Sequence, residues 1–99
     1  MKEKLKKVID KIIVPHYPSS IEYTINVEEN KELRYNIVFD KPIRKTITKY
    51  TVVYFFPNQE TMDKYYLSIS EDTEGLFDML GHTDNESIDV IGRRPAEDW

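Results

Sequence analysis

The chain has no cysteine, which removes disulfides, thiolate metal sites and thiol nucleophiles together and leads us to expect a reducing compartment, the cytoplasm. Glycine is nearly as scarce. Its three occurrences, Gly75, Gly81 and Gly92, build none of the loops that cradle phosphate. No apolar run approaches the ~18 to 20 residues of a membrane-crossing helix, so no membrane partner is expected. The basic opening Met1-Lys-Glu-Lys-Leu-Lys-Lys has the flavour of a signal peptide, but Asp10 and Lys11 interrupt the apolar stretch that would have to follow.

Histidine is limited to His16 and His82, and neither stands in the spacing of a catalytic triad or a zinc site. His82, Asp84 and Glu86 put an imidazole near two carboxylates, a spacing too common to predict a metal. Glu71 and Asp72 would do acid–base work only if burial shifted one of them. No catalytic, metal or cofactor-binding residue is therefore assigned, and a non-enzymatic protein is expected.

What the sequence does have is alternation. Ile21, Tyr23, Ile25 and Val27 interleave with polar residues, and so do Leu33, Tyr35, Ile37 and Phe39 after a turn over Glu29 to Glu32. These spacings predict a hairpin with one apolar face. After a loop from Asp40 to Lys45, residues 46 to 56 carry Tyr50, Val52, Tyr54 and Phe56 on one side with Val53 and Phe55 on the other, the pattern of a central strand. Tyr65, Leu67 and Ile69 predict a short fourth strand, and Ile88 to Ile91 a fifth at the edge.

Two helices complete the expectation. Leu5, Val8, Ile9, Ile12 and Ile13 recur at helical spacing over residues 2 to 14, ended by Pro15. Ser70 offers an N-cap, with Glu71, Asp72 and Glu74 at the positive end of a second helix that stops at Gly81. Leu76 and Phe77 are then the candidates to cover Val38, Val53 and Phe55 on the outer side of the sheet. The fold expected is a single α+β domain over 1–99. It has an N-terminal helix packed on a four-stranded antiparallel sheet, with a fifth edge strand and a short acidic second helix.

Charge is unevenly spread. Residues 1–56 hold 11 Lys or Arg against 7 Asp or Glu, whereas residues 57–99 hold 3 against 11. Opposed potentials on one small body favour charged partners. The carboxylates Glu71, Asp72, Glu74, Asp78, Asp84, Glu86 and Asp89, interleaved with Phe77, suit docking onto a protein with a basic surface, where charge speeds encounter and apolar anchors supply affinity. Inhibitors, immunity proteins and accessory proteins of bacteria and phages work in this way, and the richness in Lys, Ile, Asn and Tyr fits such a source.

Two other readings stay open. Lys41, Arg44, Lys45 and Lys49 crowd one hairpin and seven tyrosines are available for stacking, as a nucleic-acid-binding protein would require. The order helix, strands, helix resembles that of the double-stranded-RNA-binding fold, which presents basic residues at the start of its last helix. The matching positions here are Glu71, Asp72 and Glu74. A homo-oligomer joined by an edge strand is the third reading, and the terminal Trp99 is expected to dock into a groove.

Overall fold

The computed structural model describes residues 1–36 and 41–95, side chains excepted at 34–36 and 41–43. The chain opens with helix α1 (Lys2–Val8), which continues through one widened turn at Ile9–Ile13 and one tight turn at Val14–His16. Leu5, Ile9 and Ile13, four residues apart, point into the core, while Ile12 stays exposed. Strands β1 (Glu22–Asn36) and β2 (Lys41–Phe55) pair antiparallel without a break, from Glu22 opposite Phe55 to Asn36 opposite Lys41. Helix α2 (Gln59–Met79) then crosses over to strand β3 (Glu86–Arg93), which runs parallel to β2. The sheet order is β1-β2-β3, so the strand with two apolar sides is the central one.

The architecture is α+β, with three strands among the described residues rather than four or five. Glu29 to Glu32 form no turn: the residues hold no glycine or proline to reverse the chain, and the two predicted strands on either side are one strand, β1. Lys41 to Lys45 belong to β2 instead of a loop, and Ile37 to Asp40 lie outside the described residues. Tyr65, Leu67 and Ile69 sit within α2, so the fourth strand does not exist. Ser70 is mid-helix rather than a cap. Ile88 to Ile91 do form an edge strand, but its partner runs in the same direction.

Alternation along β1 and β2 divides the sheet into a covered and an open face. On the covered face Ile25, Tyr50, Val52 and Tyr54 join Leu5, Ile9 and Ile13 with Ile69, Leu76 and Phe77 of α2 in one core. Leu76 and Phe77 thus pack on the inner side rather than over the outer side, which carries buried Val53, half-buried Ile91 and exposed Phe55. Inside the core the Tyr54 hydroxyl lies 2.6 Å from Thr73 Oγ1, and the Thr73 hydroxyl donates to the Ile69 carbonyl at 2.7 Å. Burial holds the Tyr54 phenol up at about 12.

Gly92 of β3 has a packing reason. A Cβ there would fall 2.6 Å from Tyr66 Cδ2 and 2.9 Å from Met62 Cε, because the Tyr66 ring rests against the strand and its hydroxyl donates to the Val90 carbonyl at 3.0 Å. Gly92→Ala is therefore expected to lower stability by about 1–3 kcal/mol. Urea unfolding checks this, and an unchanged midpoint would contradict the close approach.

β3 covers β2 only from Thr48 to Phe55. Beyond it, residues 30–36 and 41–47 continue as a two-stranded ribbon, which contributes to the elongated outline of 55 × 33 × 19 Å.

Candidate functional site: the outer ridge of helix α2

Asn58 caps α2 by accepting a hydrogen bond from the Thr61 N–H at 2.8 Å, and Glu60 adds negative charge to the first turn. The helix then runs for 21 residues with a clean division of faces. Ile69, Thr73, Leu76 and Phe77 are buried, joined by half-buried Met62, Tyr65, Tyr66 and Leu80. On the opposite side, at helical spacing, stand Glu60, Asp63, Leu67, Glu71, Glu74 and Asp78. At 1.5 Å per residue this ridge is roughly 27 Å long.

Apolar groups accompany the acids. Leu67 is 70% exposed and Met79 is 83% exposed. Beside the ridge, Ile12 and Ile13 with Gly75, Leu76 and Met79 line an open groove of about 490 Å³, flanked by His16, Glu71 and Asp72. Lys64 is the only lysine or arginine of α2, and its ammonium lies 5.4 Å from the Tyr65 ring. Among the described residues no lysine or arginine forms an ion pair with Glu60, Glu71 or Glu74.

The predicted contact residues do not form one surface. Glu71, Glu74 and Asp78 share the ridge. Asp72 lies at its flank, where it accepts a hydrogen bond from the Tyr17 hydroxyl at 2.6 Å and fastens the connector after α1 to α2. Burial, and then Asp72 itself, raises the Tyr17 phenol above its ordinary range. Phe77 is 1% exposed and sits in the core, stacked on His82 at 4.4 Å and 5.7 Å from the Tyr50 ring, so it offers nothing to a partner. Asp84 is in the exposed loop before β3, Glu86 starts that strand, and Asp89 lies on the open face of the sheet, 3.2 Å from the Lys49 ammonium.

Three ridge residues escape the sequence reading. Glu60, Asp63 and Leu67 fall in a segment read there as loop and strand. The signal that finds them is the recurrence of Met62, Tyr65, Tyr66, Ile69, Thr73, Leu76, Phe77 and Leu80 at a period near 3.6, together with Asn58 as the cap.

The basic hairpin is tempered by acids. Register puts Glu32 opposite Lys45 and Glu28 opposite Lys49, and Lys49 is already paired with Asp89. No three His, Asp or Glu side chains gather to hold a metal among the described residues.

The turn between α2 and β3 is held by two titrating groups. His82 Nε2 faces the Asp78 carboxylate and Nδ1 faces the Thr83 carbonyl, each at 3.1 Å, an arrangement that only the doubly protonated ring satisfies with two donors. The Thr83 carbonyl, followed by Asp78, accordingly raises His82 from 6.5. Glu86 accepts from the Thr83 N–H at 3.0 Å, and from the Tyr50 and Thr83 hydroxyls, which lowers it from 4.5. The histidine contribution is complete below pH 6.5 and fades as pH rises through its elevated value. The glutamate contribution is complete above 4.5 and fades as pH falls through its depressed value. Amide exchange at Thr83 and Glu86 is expected to be slowest between those limits. NMR exchange rates that are flat from pH 4 to 8, after correction for intrinsic rates, would contradict it.

No helix among the described residues is long and apolar enough to cross a membrane. No family model matches this chain, and no curated protein and no solved structure matches it either.

Proposed function

We propose that this protein is a small non-enzymatic binding module, of the inhibitor, immunity or accessory kind, that captures a protein partner with a basic surface through the outer ridge of α2. The observation that carries this reading is the combination on one helix face of Glu60, Asp63, Glu71, Glu74 and Asp78 with exposed Leu67, beside the apolar groove that Met79 and Ile12 line. A carboxylate row steers a cationic partner, and apolar groups at its centre then supply affinity. The nucleic-acid reading draws less support, because Glu28, Glu32 and Asp89 stand against the lysines that would meet phosphate.

Affinity capture from the native source, with a variant carrying Glu71→Lys and Glu74→Lys as control, tests the proposal. Partners retained by the native chain and lost by the variant uphold it. Equal capture by both removes the ridge from consideration.

A further inference from the structure

Among the described residues, β1 has a neighbour on one side only. Over all 15 residues from Glu22 to Asn36, half of its backbone donors and acceptors face outward, a row that invites another strand. Its distal half belongs to the two-stranded ribbon, and two strands without a third, or a helix over them, are marginal in water. Val27, 37% exposed, and Leu33, 67% exposed, lie on the same side of β1 as the core, yet neither joins the core cluster. The strand therefore needs a companion.

β1 itself is the best candidate. When a strand pairs antiparallel with its own copy across a two-fold axis, side chains stay on matching faces only if the axis falls on a residue. An axis at Glu29 sets two carboxylates against each other, and one at Lys31 sets two ammonium groups together. An axis at Asn30 opposes two neutral amides. It then pairs Val27 with Leu33 of the second copy twice over, and Glu29 with Lys31 of the second copy twice over, so each exposed apolar group meets the other and each charge meets its opposite. The like pair it creates, Glu28 with Glu32, has Lys49 and Lys45 directly across on β2.

The space beside the strand agrees with this register. A groove of about 490 Å³ is lined by Lys2, Lys6 and Asp10 of the opening helical segment with Tyr23, Thr24 and Ile25 of β1, and by no residue of β2, β3 or α2. It consequently opens on the free edge, and the distal half of the second β1 passes its mouth. We infer that two copies of this chain join β1 to β1 about an axis at Asn30, making one continuous sheet in which the ribbon of each copy lies against the body of the other. The α2 ridge stays free, since α2 packs over β3, the strand at the other edge of the sheet from β1.

The absence of cysteine makes disulfide trapping clean. Light scattering of the native chain is expected to give twice the chain mass of 11.8 kDa. Under mild oxidation, Asn30→Cys alone is expected to form a covalent dimer. Val27→Cys and Leu33→Cys, each poorly cross-linked alone, are expected to cross-link when mixed. Leu33→Lys, at an exposed position that leaves the protomer intact, should weaken the dimer roughly tenfold. A monomeric mass at every concentration overturns the inference. So does cross-linking of Val27→Cys alone as readily as in the mixture, which would mean a different register or a different interface.

Discussion

Phe77→Ala is expected to remove a large share of the stability of the fold. The ring is buried between Tyr50 and His82 and belongs to the core that joins both helices to the sheet. Truncating such a phenylalanine removes its transfer free energy and leaves a cavity that neighbours refill only in part, a loss of about 3–5 kcal/mol. A small domain has only about 5–15 kcal/mol in total, so the unfolding midpoint should fall to a much lower urea concentration. Phe77→Leu keeps most of the volume and should cost no more than about 1.5 kcal/mol. Urea unfolding followed by circular dichroism measures both. The experiment also separates two roles for this residue, because a phenylalanine that only touched a partner would leave the unfolding midpoint where it was when truncated.

The assignment of Phe77 illustrates which parts of the fold are legible in the residues and which are not. Leu5, Val8, Ile9, Ile12 and Ile13 have one interpretation, since their i, i+3, i+4, i+7, i+8 spacing suits only a helix and Pro15 follows. The two-sided apolar pattern of Tyr50 to Phe56 likewise announced the central strand. Tyr65, Leu67 and Ile69 are ambiguous: Tyr65 and Ile69, four residues apart, also share one side of a helix with Leu67 on the other, and the length of the surrounding 3.6-residue period decides the matter. Once α2 begins at Gln59, Phe77 turns from the flank of a short acidic helix to the buried side of a long one, and Leu67 turns outward.

The turn over Glu29 to Glu32 failed for another reason. Four polar residues between alternating runs resemble a loop, but strand residues with both faces wet are polar as well, and in the ribbon no core demands otherwise. For the candidate site, the acidic character of the second half was readable from composition. Its division into the α2 ridge, the clasp around His82 and Glu86, and the open-face pair of Asp89 with Lys49 was not, because the contacts of Glu86 with Tyr50 and of Asp89 with Lys49 join residues far apart in sequence and leave no local pattern.

Reversing Glu71 and Glu74 to lysine is expected to abolish partner capture while leaving the protomer as stable as before. Stability should hold within about 0.5 kcal/mol, since both side chains are exposed, glutamate and lysine have nearly equal helix propensity, and a lysine at 74 stands four residues from Asp78. Recognition should respond very differently. Five carboxylates and Lys64 give the ridge a net charge of −4, and the two reversals bring it to zero. Electrostatic steering of a cationic partner, worth 10- to 1000-fold in association rate, would disappear, and each new lysine would meet a like charge at contact. Surface plasmon resonance with a captured partner should therefore show a slower association that no longer depends on salt. Leu67→Ala should instead speed dissociation with the salt dependence kept, because the apolar anchor holds the complex after charge has formed it. If charge reversal changed only the dissociation rate, or if Leu67→Ala removed the salt dependence, the division of labour along the ridge would be refuted.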